Sequence, residues 1–278
     1  RPQEAELSQT IPAEKTLFSE QAKTSRGGKE IVVISGKGGT GKTSLTAAFC
    51  ALEKRISIAD CDVDAADLHL VLQPEIKDSA AFSGGQVARI DQDRCSSCGR
   101  CLEECRFDAI HFQEEEERYT VDSMSCEGCG VCGIVCPADA VLFEDALNGE
   151  WFVSETRFGP MAHARLFPAE ENSGKLVSLV RQKKDKAAEE GNIRLSIIDG
   201  SPGTGCPVIA SITGTDYTVI VTEPTVSGVH DLKRILQTVR HFGIPAGIIV
   251  NKWDLNPTKT EEIRQMAKGK DLSFLGEI

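Results

Sequence analysis

Ile31-Val32-Val33-Ile34-Ser35-Gly36-Lys37-Gly38-Gly39-Thr40-Gly41-Lys42-Thr43 is the stretch that decides the fold. Its apolar head, Ile31 to Ile34, is short and β-branched, as a buried strand requires. Gly36 to Thr43 satisfies GxxxxGK[ST] directly behind that strand, the context in which the pattern signifies a phosphate loop. Glycines let successive backbone N–H groups turn toward phosphate oxygens, and the helix that follows presents its positive end. Lys42 neutralises β- and γ-phosphate charge, and Thr43 ligates magnesium. Outward from the loop, a helical pattern covers Ser44 to Lys54, and a second short strand, Ile56 to Ile58, runs on to Asp60. Strand, phosphate loop, helix and strand open a βαβ unit.

The same grammar returns later. Leu195 to Ile198, Tyr217 to Val221 and Ala246 to Val250 read as buried parallel strands, alternating with helical patterns at Lys175 to Glu190 and Val229 to His241. The expected fold class is α/β, a mostly parallel sheet interrupted once by an inserted cysteine-rich module. The expected domains are a mobile tail over 1–29, a first sheet segment over 30–83, the insert over 84–146 and a second sheet segment over 147–278. Leu272 to Leu275 looks like a further strand just before Ile278, and the first residue is not Met, so the natural chain is expected to extend further. No apolar run approaches the length of a membrane span, and the N-terminal residues lack the apolar block of a secretion signal.

Eight of the eleven cysteines fall between Cys95 and Cys136. Cys95-x-x-Cys98-x-x-Cys101-x-x-x-Cys105 is repeated as Cys126-x-x-Cys129-x-x-Cys132-x-x-x-Cys136-Pro137. That cadence resembles the two-cluster bacterial ferredoxins, in which three close thiolates wrap one 4Fe-4S cubane and the fourth crosses to the other. The resemblance assigns Cys95, Cys98, Cys101 and Cys136 to one cluster, and Cys126, Cys129, Cys132 and Cys105 to the second. Zinc is the competing reading, but it usually takes separated CxxC pairs. Arg106 stands where the first run would carry proline. Clustered thiols of this kind imply a reducing, cytoplasmic compartment. Cys50, Cys61 and Cys206 read as ordinary small apolar residues.

The chain carries a net charge of -11, and between Gly84 and Ala146 fourteen Asp and Glu face five Arg and no Lys. An acidic module argues against nucleic acid, which needs a basic stripe, and permits a redox partner with a basic face.

The second lysine of the phosphate loop, Lys37, narrows the class. From its residue type alone it is an extra cation near phosphate. The loop as a whole resembles KGGxGKT of the MinD, ParA, Mrp and nitrogenase iron-protein group, the deviant Walker A ATPases. The resemblance implies a nucleotide-dependent homodimer in which Lys37 reaches the partner's phosphates. It also implies that Asp62 orients the attacking water, and that Asp60 and Asp199 support magnesium with Thr43. Asp64 reads as a loop acid. Ser201, in Asp199-Gly200-Ser201-Pro202-Gly203, replaces a proline usual in that group. Asn251-Lys252-Trp253-Asp254 resembles the guanine-reading motif of GTPases, yet deviant Walker A proteins use ATP, with the asparagine against the base. Asn251 and Asp254 are the candidate base contacts.

The expected cofactors are ATP, magnesium and two 4Fe-4S clusters. The main functional expectation is an ATPase coupling its dimer to electron transfer or cluster handling for a client protein. The alternative is a MinD- or ParA-like positioning ATPase with structural or sensing clusters. The CxxC pair that Mrp-type carriers use to share a cluster is missing, which favours electron transfer. Trp151 to Val180, including His163, Glu171, Asn172, Ser173, Gly174 and Lys175, carries no role legible from its residues.

Overall fold

The computed structural model describes residues 28–168, 173–268 and 272–278. Most of the expected tail, together with Glu171 and Asn172, lies outside the described residues. Lys29 belongs to the fold: it opens the first strand, its N–H donates to Arg194 O at 2.7 Å, and its Nζ pairs with Asp216 at 2.8 Å.

The chain runs β1 (Lys29–Ser35), α1 (Lys42–Cys50), β2 (Ser57–Asp60), α2 (Leu68–Leu72) and β3 (Glu75–Ile90). The cysteine-rich stretch follows, with α3 (Arg100–Glu103), β4 (Ile110–Gln113), β5 (Arg118–Val121) and α4 (Val131–Val135). Then come β6 (Val141–Thr156), β7 (Gly159–Leu166), α5 (Ser173–Glu190), β8 (Leu195–Pro202) and α6 (Cys206–Ile212). β9 (Tyr217–Thr222), α7 (Val226–His241), β10 (Ala246–Val250), α8 (Pro257–Met266) and β11 (Leu272–Glu277) complete it.

Nine strands form one sheet in the order β11-β10-β9-β1-β8-β2-β7-β6-β3. From β11 to β7 the pairings are parallel; β6 and β3 add antiparallel strands at one edge. The fold class expected from sequence is therefore present as a mostly parallel α/β sheet.

Period-two alternation sorts the strand residues. Val32, Ile34, Ile198, Ile220 and Ile248 pack on one face with Leu176 and Val180 of α5 and Leu232 and Ile235 of α7. Val33, Val219 and Ile249 face the other way, onto Leu45 and Phe49 of α1. Burying each such Val or Ile side chain stabilises the fold by about 1.5–3 kcal/mol. The helix ends are fixed locally. Thr225 caps α7 by accepting from Gly228 N–H, and Asn256 caps α8 by accepting from Lys259 N–H. Arg240 and His241 sit at the negative end of α7.

Buried charge also ties the layers. Glu30 of β1 accepts from Arg181 at 2.9 Å and pairs with Lys184, both on α5.

β3 and β6 form a hairpin pairing Glu75↔Glu155 at its root and Ile90↔Val141 at its far end. Residues 91–140 lie between those far ends, with β4 and β5 paired as a separate two-stranded sheet. Midway along the hairpin, Gly84 N–H donates to Asn148 Oδ1 at 2.7 Å, Lys175 Nζ donates to Gly84 O, and Lys183 lies 3.3 Å over the Trp151 ring. The segment from Trp151 onward is thus the return strand of the hairpin, then β7 and α5.

Candidate functional site

Parallel strands end on one edge of the sheet, and ligand crevices of open α/β sheets lie beyond those carboxyl ends. Here the ends deliver Gly36 after β1, Asp60 closing β2, Asp199 in β8, Glu223 after β9 and Asn251 after β10. A cavity of about 490 Å³ opens there, lined by Gly38, Gly39, Lys42, Thr43, Asp62 and Asp64 among others.

The phosphate loop turns into α1 at Gly41, whose φ of 88° is left-handed. A Cβ there would stand 2.3 Å from Asn251 Nδ2, so glycine is required on both counts. That close approach has a purpose: Asn251 Nδ2 donates to Thr40 O at 2.8 Å, while its Oδ1 accepts from Lys252 N–H at 2.9 Å. The structure therefore gives Asn251 the task of bracing the phosphate loop. Asp254, the other candidate base contact, is exposed in a short turn, Trp253–Leu255.

Lys42 Nζ lies 2.9 Å from Asp199 Oδ1 and 3.4 Å from Asp62 Oδ2. Burial works against its charge, but Asp199 and Asp62 outweigh that and raise its pKa above the ordinary lysine value. Asp199 also accepts from Thr43 Oγ1 at 2.8 Å and Thr46 Oγ1 at 2.9 Å, so β8 and the start of α1 are locked together. Burial pushes the Asp62 carboxyl up, with Lys42 opposing.

Asp60 is fully buried, and its two oxygens accept from the N–H groups of Asp62 at 3.1 Å and Leu68 at 3.2 Å. Burial, then the charge of Asp199, holds its pKa well above the usual carboxylate range. It organises the loop that presents Asp62, Asp64 and Asp67 to the cavity. Ser201 Oγ donates to Cys61 O, tying β8 to that same loop.

On the other side of β1 stands a second charged group. Lys37 Nζ is 3.2 Å from Glu223 Oε2 and donates to Ser227 Oγ at 3.2 Å. Lys252 pairs with the same carboxylate and donates to Gly39 O at 3.3 Å. The hydrogen bond from Lys252, against the opposing effect of burial and aided by Lys37, pulls the Glu223 carboxyl below its ordinary value. Sequence reasoning passed over Glu223 and gave Lys252 no role within its motif. The signal for Glu223 was positional, since it directly follows an apolar strand, as Asp60 ends β2.

The cysteine runs converge as two groups. One cavity is lined by Cys95, Cys98, Cys101 and Cys136, and another by Cys105, Cys126, Cys129 and Cys132. Each fourth cysteine has crossed to the other run's triplet. All eight are free thiols, and among the described residues no group of three or more Cys, His, Asp or Glu is drawn together to hold a single metal ion. Gly128 has φ 61°, and a Cβ on it would meet Gln86 O at 2.0 Å, so the second run lies directly on β3.

His163 is buried in β7. Its Nε2 is 2.9 Å from Ser154 Oγ, and its ring stacks on Phe152 at 5.0 Å and His69 at 5.8 Å. It has a packing role.

The model of the CobQ/CobB/MinD/ParA nucleotide-binding domain matches residues 31–278. The chain belongs to this family. Two uncharacterised proteins of Methanocaldococcus jannaschii are relatives. MJ0578 is 35% identical over 230 residues, 82% of this chain and 79% of its own, and MJ0579 is 27% identical over 258 residues, 82% of each. Among solved structures, the MinC:MinD cell division complex of Aquifex aeolicus aligns at 19% identity, covering 90% of this chain and 81% of that one, with a TM-score of 0.48. MinD of Pyrococcus horikoshii, complexed with Mg-ADP, aligns at 16% identity over 90% and 80%, with a TM-score of 0.47. No described helix of this family member is long and apolar enough to cross a membrane.

Proposed function

We propose that this chain is an ATP-hydrolysing switch of the MinD and ParA kind whose hairpin carries two 4Fe-4S clusters for electron transfer or cluster handling. ATP hydrolysis rests on family membership, since MinD- and ParA-type members are ATPases, and on Lys42, Thr43, Asp62 and Asp199 gathered at the phosphate loop. Lys42 meets the β- and γ-phosphates, Thr43 and Asp199 hold magnesium directly or through water, and Asp62 orients the attacking water. Lys37 extends from the same loop to a partner's phosphates in a nucleotide-dependent homodimer.

The observation that carries the redox half is the pair of cavities, each ringed by four cysteines. A single zinc draws its thiolates to about 2.3 Å from one point, whereas a cubane needs them spaced around a cluster body. Four thiols gathered around each cavity suit the second case. Cys95, Cys98, Cys101 and Cys136 would hold one cluster, and Cys105, Cys126, Cys129 and Cys132 the other; bound there, the clusters supply one-electron transfer.

A second reading is a positioning ATPase in which the clusters are structural or sensing. It is favoured by the family match, which runs through the whole sheet and by itself calls for no electron transfer. Anaerobic reconstitution with iron and sulfide tests the cofactors. We expect about eight irons per chain, and loss of one cluster in Cys98→Ser. Stoichiometric zinc without sulfide would refute the cluster reading. Reduction of a basic redox protein by the reduced chain in an ATP-dependent manner separates electron transfer from positioning.

A further inference from the structure

We infer that Glu223 is a positioning carboxylate that parks Lys37 on its own subunit and so sets how readily the nucleotide-sandwiched dimer forms. The inference rests on the dimer role proposed for Lys37.

The acceptor is rigid. Glu223 follows β9 directly, its carbonyl accepts from Thr225 N–H at 2.8 Å, and a Cβ on Gly228 would lie 2.3 Å from that carbonyl. The turn into α7 is therefore packed against the Glu223 backbone. The Glu223 side chain is 10% exposed and cannot follow the lysine outward. Lys37 is the looser partner: its side chain is 32% exposed, and it reaches Glu223 and Ser227 from the glycine-rich loop.

Reaching a partner's phosphate requires Lys37 to leave Glu223. Stripping a buried carboxylate of its cation would ordinarily be prohibitive. Lys252 removes that obstacle, because it holds the same carboxylate and stays behind to neutralise it. Glu223 thus has two cations and Lys37 can be lent out. In a symmetric dimer the exchange occurs twice, so a modest preference per subunit is squared in the association constant.

The signs follow. Glu223→Gln should free Lys37 and tighten the dimer formed with magnesium and a nonhydrolysable ATP analogue, by roughly 3- to 20-fold for two such pairs, each with its lysine still partly in water. Lys252→Met should act oppositely, leaving Glu223 dependent on Lys37 and weakening the dimer. In a Lys37→Ala background Glu223→Gln should bring no tightening, since the latch acts only through that lysine.

Sedimentation of the full reconstituted chain over a concentration series, with thermal melting of each variant, reads all of this. Tightening by Glu223→Gln without a higher melting temperature, abolished by Lys37→Ala, supports the latch. An unchanged or weaker dimer, or tightening that persists without Lys37, overturns it while leaving the dimer reading intact. Should Glu223→Gln not fold, the decrease in Lys252→Met, reversed in the Lys252→Met/Glu223→Ala double variant, carries the test; an undiminished dimer overturns the latch. If the wild-type chain stays monomeric with the analogue, or Lys37→Ala dimerises as wild type does, the dimer reading fails and the latch falls with it.

Discussion

Lys42 sits between Asp199 and Asp62 at 2.9 and 3.4 Å, and these contacts separate binding from chemistry. Lys42→Ala removes the cation proposed to face the phosphates and leaves Asp199, 1% exposed, without its ammonium. We expect magnesium-ATP affinity to fall about 10- to 150-fold, the loss of one charged hydrogen bond, with a lowered melting temperature. Calorimetric titration and thermal melting check both. Asp62→Ala leaves the loop intact, so binding should persist while kcat falls about 10²- to 10⁴-fold; normal hydrolysis by that variant would remove Asp62 from the mechanism. His163 has a different consequence. Burial, helped by His69, pushes its pKa down to about 4 from 6.5, so the unfolded chain takes up a proton first on acidification. Stability from this group is complete above about pH 6.5 and is lost as pH falls toward 4, by about 3 kcal/mol at the limit. Denaturant unfolding of His163→Gln should have a shallower pH slope in that window; an identical slope would mean that His163 is not buried neutral.

At the scale of elements, the parallel strands were legible because buried strands must be apolar runs, and β1, β8, β9 and β10 are such runs. The phosphate loop was legible because its chemistry fixes residue types at fixed intervals, and the cysteine cadence foretold that each fourth cysteine lies with the other run's triplet. β3 was not. Its first half, Glu75 to Ala81, is exposed throughout and has no apolar alternation; it is a strand because β6 pairs with it, and that pairing is long-range. β7 was hidden for a related reason, since Gly159, Pro160 and His163 disguise a strand whose place is fixed by β2 and β6. Glu223 was missed because a lone carboxylate carries no motif. The hairpin makes its own prediction. Asp91 N–H donates to Ala140 O at 2.7 Å, so the two strands are still paired where the cysteine stretch begins and ends. Replacing 92–139 by Asn-Gly should close a two-residue hairpin. The shortened chain should bind nucleotide with affinity within a few fold of the full chain and contain no iron. Failure to fold would show that the cysteine module is part of the sheet's own core.

For the whole molecule, the question is whether the nucleotide end and the cysteine end can sense each other. Asp60 is level with Ser79 of β3 through His163 and Phe152, and from Ser79 to Ile90 the strand spans about 36 Å at strand rise. Fields between solvated charges fade over a Debye length of about 8 Å, so γ-phosphate charge cannot act directly on groups at the far end. A continuous mechanical path exists instead. Asp60 holds the N–H groups of Asp62 and Leu68, α2 starts at Leu68, and β3 begins at Glu75, just beyond the end of α2 at Leu72. His69 of α2 stacks on His163 of β7, which stacks on Phe152 of β6, so both strands of the hairpin are reached from the loop that presents Asp62. If ATP draws that loop inward, the hairpin moves with it where Phe152 pairs with Ser79, and the Gln86 carbonyl beside Gly128 and the Ala88 N–H beside Cys126 Sγ move against the second cysteine group. Hydrogen bonds to cluster sulfur tune potential. By linkage, a potential that shifts with ATP obliges ATP affinity to shift with reduction by the same free energy. We expect magnesium and a nonhydrolysable ATP analogue to move one cluster's potential by about 30–60 mV, ~0.7–1.4 kcal/mol for one electron, and ATP affinity to change about 3- to 10-fold on reduction. A cluster held as proposed by Cys126, Cys129, Cys132 and Cys105 should move more than one held by the other four cysteines, because that cysteine group lies on β3. His69→Ala, which cuts the stacked path without touching the phosphate loop, should reduce the shift while leaving ATP binding in place. Redox titration followed by electron paramagnetic resonance, with and without the analogue, reads each quantity. Potentials that coincide, with ATP affinity indifferent to reduction, would uncouple the two ends and leave the positioning ATPase with structural clusters as the reading to pursue.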